Sequence, residues 1–244
     1  YDYVVLPASP CPAITKAECT VEMRGRILSL TVPASMAMEP IMSARSFMLF
    51  PPCLCARLSL AGAQDNGTQR FSAPGINVER EVRGGDGAFT FIDQTEPIYA
   101  ISSYVYNTYN ISSNGGLSFP IVLINDTGSG SFINRADYDD RENILYSYRN
   151  ASSLYRILDV TGARPVGTLS YAFGAAVTNL KVSPFSPPGT STLYVGTGAG
   201  RIHRMADAHA TPSVTELTQP GPGAISSIEF GHSENEILVT ISNY

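Results

Sequence analysis

The chain has 244 residues and a net charge of −5, with 16 Lys and Arg against 21 Asp and Glu, only 15% charged side chains and no tryptophan. Phosphate binding wants a concentrated basic face, and here the basic residues are scattered, with lysine only at Lys16 and Lys181, so nucleic acid is excluded as the expected partner. Abundant Gly, Pro, Ser, Thr and Tyr argue for strands joined by turns, and the longest apolar run, 47–60, is interrupted by Pro51, Pro52 and Arg57, so no bilayer-spanning helix and no membrane insertion are expected.

The chain opens at Tyr1 without a basic n-region, and Val4-Val5-Leu6 is too short for a signal-peptide core. All four cysteines, Cys11, Cys19, Cys53 and Cys55, lie in the first quarter. Cys53-x-Cys55 lacks the two-residue spacing of zinc knuckles and thioredoxin-like motifs, and no His precedes His203, so neither a metal nor a cofactor is expected. Composition changes abruptly near Ala61: before it stand one glycine, no Asn, no Gln and five of six methionines; after it come twelve Asn and twenty Gly. Residues 1–60 are therefore set apart from residues 61–244. Two readings of the first segment stay open, a different domain with methionine core fillers or a stretch translated in a shifted frame. Codons for residues 22–37, slid by two bases, can encode an Asn- and Ser-rich peptide resembling the remainder, and resequencing the DNA to find one uninterrupted frame would remove the second reading.

From Leu60 onward the chain reads as strand, polar turn, strand. Asp65-Asn66-Gly67 is a strong hairpin signal, and Gly84-Gly85-Asp86-Gly87 is a second Gly-rich polar turn. Segments 97–113, 143–159, 191–207 and 236–244 share one shape. Equivalent points at Tyr99, Leu145, Leu193 and Leu238 recur at intervals of 46, 48 and 45 residues, within the roughly 40–50 of a four-stranded propeller blade. In the clearest unit, Leu180, Val182, Leu193, Val195 and Ile202 alternate toward neighbouring blades, with Lys181, Arg201 and Arg204 facing out or lining an edge. Gly196-x-Gly198-x-Gly200 leads into another strand and is a hairpin turn, not a dinucleotide loop. The expected fold is all-β: a partial β-propeller of about four to five blades, the last cut short, which marks the chain as a fragment.

The turn at 111–119 carries a specific likeness. Asn114 can hydrogen-bond the backbone of its own turn, Gly115 and Gly116 can take positive φ, and Phe119 can tuck beneath as an apolar plug. This stretch resembles an Asp-box, Ser-x-Asp-x-Gly-x-Thr-Trp, with Ser113 at its start, Asn114 in place of Asp and Phe119 in place of Trp. Together with Gly62 to Gln69, Gly84 to Phe89 and Leu193 to Thr197, it makes about three quarters of the chain resemble the sortilin-like, Asp-box (BNR-type) propellers of large secreted proteins of Bacteroidetes-type bacteria. That resemblance implies an extracellular or cell-surface location, flanking modules and a type IX sorting domain outside this chain.

Asp-box turns sit on blade corners, so Ser113, Asn114, Gly115, Gly116 and Phe119 are expected to be structural. Asp137-Tyr138-Asp139-Asp140 alternates carboxylates but lacks the Gly and distant Glu of an EF-hand loop, and reads as a solvated turn before the strand at Ile144. His203, His209 and His232 have no metal-ligand spacing. Sequons at Asn66, Asn110, Asn125 and Asn150 matter only in a eukaryotic secretory host. Glycosidic hydrolysis needs two carboxyl groups about 5–9.5 Å apart, for which Asp65, Asp86 and Asp93 are the weak candidates. No Phe/Tyr-Arg-Ile-Pro motif is present, so a sialidase does not fit. The reading is a non-catalytic binding or scaffolding module with a protein or carbohydrate (polysaccharide) ligand; the alternative is a xyloglucanase-like glycoside hydrolase. Converging carboxylates would favour the enzyme, a mouth lined by Tyr and Asn the binder.

Overall fold

The computed structural model describes residues 58–72, 79–217 and 221–242, and gives the backbone of 16–23 and 26–33. The first two strands, β1 (Lys16–Met23) and β2 (Arg26–Pro33), form an antiparallel hairpin. The remainder of residues 1–57, on which the two readings of the N-terminal segment turn, lies outside the described residues. The first strand past the composition break, β3 (Ser59–Ala63), starts two residues ahead of Ala61 and pairs through a hairpin with β4 (Gly67–Phe71), which pairs with β5 (Glu79–Arg83).

Three four-stranded antiparallel meanders follow. They are β6 (Thr90–Ile92), β7 (Ala100–Ser103), β8 (Asn107–Ser112) and β9 (Ile121–Asp126); β10 (Ala136–Asp139), β11 (Ile144–Asn150), β12 (Ser153–Ile157) and β13 (Val166–Ser170); and β14 (Val177–Val182), β15 (Leu193–Thr197), β16 (Ile202–Ala206) and β17 (Ser213–Glu216). A last pair, β18 (Ala224–Phe230) and β19 (Ile237–Ser242), closes the described chain. No helix occurs among the described residues, and so none is long and apolar enough to cross a membrane.

From the sheet of β3 onward each sheet packs face to face on the next, and each of these junctions has its own apolar cluster. Leu60, Ala100 and Phe119 fill the first; Phe91, Ile101, Tyr109, Ile111, Leu145 and Ile157 the second; Tyr146, Leu154, Leu180, Val182, Leu193, Val195 and Met205 the third; Tyr194, Ile202, Ile225 and Ile228 the fourth. Period-two alternation explains how one strand serves two junctions. Leu145 faces one neighbour and Tyr146 the other; Leu193 and Val195 face backward, Tyr194 forward. Strands buried on both faces read as continuous apolar runs, which is why the second strands β7 and β15 are buried from end to end.

β3 belongs with these second strands. It is buried along nearly its whole length, its turn to β4 meets the connection leading into β6, and its Gly62 lies against Ala88 of that connection as Gly196 of β15 lies against Ile225 of the sheet that follows it. Second strands thus open at Ser59, Ala100, Ile144, Leu193 and Ile237, a repeat of roughly 40–50 residues. One expectation is overturned. Residues 137–139 are not a solvated turn: Ala136–Asp139 is the first strand of its sheet, with Asp139 buried and the Asp137 carboxylate accepting the Val182 N–H at 2.6 Å, and only Asp140 belongs to the turn before Ile144.

Candidate functional site

In an antiparallel meander, successive turns lie at alternate ends, so the fan has two faces of loops. One carries the second-to-third turns and the sheet-to-sheet connections. There the Asp86 carboxylate accepts the Asp65 backbone N–H at 2.9 Å, so the two Gly-rich turns meet. Asp65 itself takes a positive φ of 66°, and Gln64, Asp65 and Asn66 are exposed. Next along the face, the Arg83 guanidinium lies 5.9 Å from the centre of the Tyr104 ring, and the Tyr104 ring lies against Gly85. Tyr106, at φ 56°, donates its N–H to the Phe132 carbonyl at 3.0 Å, and the two rings meet edge to face at 5.9 Å. Phe132 remains 43% exposed. Tyr171 closes the row, its N–H donated to the Ser152 carbonyl and its ring edge to face with Phe173 and His203.

This aromatic row stands on a buried polar bed. The Asn134 amide donates to Asn107 Oδ1 at 2.8 Å, Ser147 Oγ at 2.9 Å and the Tyr148 carbonyl at 2.9 Å, while its own carbonyl accepts the Ser131 N–H at 2.9 Å. Asn107 Nδ2 donates to Ser129 Oγ and the Tyr148 carbonyl, and Ser147 Oγ bonds Asn107 Oδ1. Burial raises the Tyr109 phenol beside it to about 12. Such a satisfied network fixes the 127–135 loop against β8 and β11.

The opposite face carries the first-to-second and third-to-fourth turns. Asp93 lies there, separated from Asp86 by β6, and is 2% exposed. Its Oδ1 accepts the Thr95 N–H and hydroxyl and the Glu96 N–H; its Oδ2 accepts the Tyr138 hydroxyl of the next sheet at 2.8 Å. The three candidate carboxylates are therefore not brought together. Similar cross-sheet bonds recur: Ser191 Oγ donates to Asp139 Oδ2 at 2.7 Å, Arg141 donates to the Ser183, Pro184 and Ser186 carbonyls, and Glu142 accepts the Gly189 N–H.

Asp140, which the hydrolase candidates omitted, has its carboxyl pushed up from the ordinary 3.8 by burial first and by the Asp93 charge second. A carboxyl with a raised folded-state value favours the native state when protonated, so its contribution is lost as pH rises above 3.8 through the raised value. Asp140→Asn is therefore expected to melt higher than the parent at pH 7, the advantage shrinking toward pH 4. Thermal melts across that range check it, and an equal difference at both ends would contradict the assignment.

The turn at 113–119 lies on this second face, at the outer edge. Asn114 Oδ1 accepts the Leu117 and Ser118 N–H groups at 3.1 Å each and the Ser112 hydroxyl at 2.8 Å. Ser112 Oγ, rather than that of Ser113, accepts the Asn114 and Gly116 N–H groups. Gly115 and Gly116 stand at φ 69° and 72°, Gly115 donates to the Ile98 carbonyl, and Phe119 is buried against Leu60 and Ala100. Arg70 Nε donates across the junction to the Gly115 carbonyl.

His203 sits on β16, buried against Tyr171 and Phe173, its ring pushed below its usual value chiefly by burial. Among the described residues no three His, Cys, Asp or Glu side chains converge as metal ligands do. Sequence reasoning missed the aromatic row, because Tyr106 and Phe132 meet only once one sheet's connection folds over its own turn.

Face-packed four-stranded meanders radiating in chain order define a β-propeller. The fold is similar to a chain in a crystal structure of the mitotic checkpoint complex, at a TM-score of 0.58 and 11% identity, over 93% of this chain and 68% of that one. It is also similar to YCF48 from Cyanidioschyzon merolae, at a TM-score of 0.56 and 10% identity, over 93% of this chain and 76% of that one. No protein-family model matches the sequence, and no curated protein matches it.

Proposed function

We propose that this chain is a non-catalytic binding or scaffolding module, taking a protein or carbohydrate ligand on the face that carries Tyr104, Tyr106, Phe132 and Tyr171. The carrying observation is the row of partly exposed aromatic rings held on a buried, satisfied polar bed. Rigid aromatic bodies with polar tips supply contact area at little entropic cost, which is what recognition surfaces use. One structural neighbour is a chain of the mitotic checkpoint complex, and membership of a complex is in keeping with a scaffolding role. Kinship with sortilin-like, Asp-box propellers, with export to the cell surface or medium, completes the proposal; protease shaving of intact cells that leaves the chain untouched would count against it.

The double variant Tyr106→Ala, Phe132→Ala is expected to keep the parent's circular dichroism and lose at least tenfold in affinity on a glycan array or against a captured protein ligand. Unchanged binding would sink this choice of face. A second reading, a glycoside hydrolase, draws on one observation: burial first and the Asp93 charge second raise the Asp140 carboxyl, and environments that set two carboxyls apart are of the kind that assign one acid and one base.

A further inference from the structure

The connection from β13 to β14, residues 171–176, roofs a buried imidazole. His203 on β16 is 1% exposed, and its ring meets Tyr171 at 5.2 Å and Phe173 at 5.6 Å, both near edge-on. Those two rings meet each other at 5.1 Å, so all three close on one another. Neither imidazole nitrogen makes a well-aligned hydrogen bond, and from the roof the Phe173 backbone favours the charged form. Glu216, the cross-strand partner on β17, also favours it; Arg201 on the same strand as His203 opposes it, and these two charges are joined to each other at 3.2 Å at the exposed edge. On β15, Val195 stands opposite. From the preceding sheet come the Tyr148 phenol, which shares the Phe173 cluster, and Arg156, whose guanidinium donates to the Ala208 and Ala210 carbonyls. Burial outweighs the rest and holds the His203 ring below its ordinary 6.5.

A proton on that ring sets charge against burial, and the roof is the part that can yield. Ala172, Gly174 and Ala176 of the connection are exposed. Its backbone ties are the Tyr171 and Phe173 N–H groups donated to the Ser152 and Ala151 carbonyls, at 3.0 Å each, and the Gly198 N–H donated to the Ala176 carbonyl at 2.9 Å. A short connection with few bonds opens at lower cost than a four-stranded sheet. Once it lifts, the imidazole reaches water and regains its ordinary affinity for a proton, so acid favours the lifted form. Because the folded value is lowered, His203 supports the closed form fully above pH 6.5, and that support is lost as pH falls through 6.5 toward the folded value. At pH 5.0 the lifted population gains by up to about thirtyfold over neutral pH. We propose that His203 is a proton-operated latch: in mild acid the 171–176 connection lifts off β16 and takes Tyr171 out of the aromatic row. That Tyr171 thereby leaves a recognition surface rests on the aromatic face being that surface.

Amide exchange of the purified chain at pH 7.5, 6.5 and 5.0, corrected for intrinsic rates and read by mass spectrometry, tests this with the Tyr171 and Phe173 amides as reporters. Their protection is expected to be at least about fivefold lower at pH 5.0 than at pH 7.5, while β14 and β15 keep theirs. The drop is expected to vanish in His203→Phe, which keeps a flat ring without the proton, and to persist in His232→Gln, an exposed position in the turn from β18 to β19. If His203→Phe does not fold, His203→Gln carries the same expectation. Protection that does not change with pH in the parent, a drop that survives the loss of His203, or an equal drop across all sheets overturns the proposal. No ligand enters the measurement, so its failure leaves the aromatic face standing as a binding surface, and unchanged ligand binding in the Tyr106→Ala, Phe132→Ala variant leaves the latch standing.

Discussion

Gly62→Ala is expected to cost about 4 kcal/mol or more. A Cβ at Gly62 would lie 1.8 Å from the Ala88 carbonyl oxygen and 2.6 Å from its nitrogen, both backbone atoms of the connection into the next sheet. Side chains can swing aside; a connection bonded at both ends of the seam cannot. The seam is tied by Gly87 N–H to the Ala63 carbonyl at 2.9 Å, by Thr90 Oγ1 to the Leu60 carbonyl at 3.2 Å and by Thr68 Oγ1 to Ser102 Oγ at 2.6 Å. Admitting the methyl means parting these bonds. In a chain of this size each kcal/mol moves Tm by about 2–4 °C, so a drop of about 10 °C or more is expected by calorimetry. Gly115→Ala is the matched comparison. Its Cβ would meet nothing within 4 Å, leaving only the strain of φ 69°, about 1 kcal/mol. Equal losses in the two variants would refute the close-approach argument.

Asn134→Leu, which keeps the branched outline with the same number of side-chain heavy atoms, is expected to cost about 3–5 kcal/mol. The substitution strands the Ser131 N–H and removes donors from Asn107 Oδ1, Ser147 Oγ and the Tyr148 carbonyl, all within a site where Asn107, Asn134 and Ser147 are at most 1% exposed. Each buried group left unpaired costs about 1–3 kcal/mol, while some bonds, such as Asn107 to the Tyr148 carbonyl, survive. A second consequence separates this from plain destabilisation: with the 127–135 loop untied, Phe132 loses its seat on Tyr106. Hydrogen exchange is expected to quicken in residues 127–135 before the rest of the chain melts. Uniform quickening across all sheets would argue against a local role.

The blade repeat was legible because the second strands β3, β7, β11 and β15 are largely buried. Leu145, Leu193 and Leu238 lie on β11, β15 and β19, and Tyr99 immediately precedes β7, so the markers fall on or beside the same strand of each sheet, although Leu238 is 64% exposed where Leu145 and Leu193 are buried. The Asp65-Asn66-Gly67 signal likewise is the turn from β3 to β4, with Asp65 and Gly67 at positive φ. Inter-sheet chemistry was not legible. Asp93 meets Tyr138, Asp137 meets Val182 and Asp139 meets Ser191 across one blade length, about which local spacing says nothing. That is also why 137–139 reads as part of a polar turn in sequence while folding as a strand: the Asp137 and Asp139 carboxylates are held by the next sheet instead of by water. The Arg204–Glu234 pair depends equally on two sheets meeting.

The central claim is recognition without turnover, and one parallel measurement tests it most directly. Binding and hydrolysis of a panel of β-glucan oligosaccharides and polysaccharides are followed on the same purified chain, its Tyr106→Ala, Phe132→Ala double variant and its Asp140→Asn variant. Recognition without turnover predicts saturable ligand binding that falls at least tenfold in the aromatic variant, with no release of reducing ends above the blank in any of the three. Turnover by the parent chain that survives repurification and disappears in Asp140→Asn would contradict it and place the Asp93–Asp140 pair at an active site.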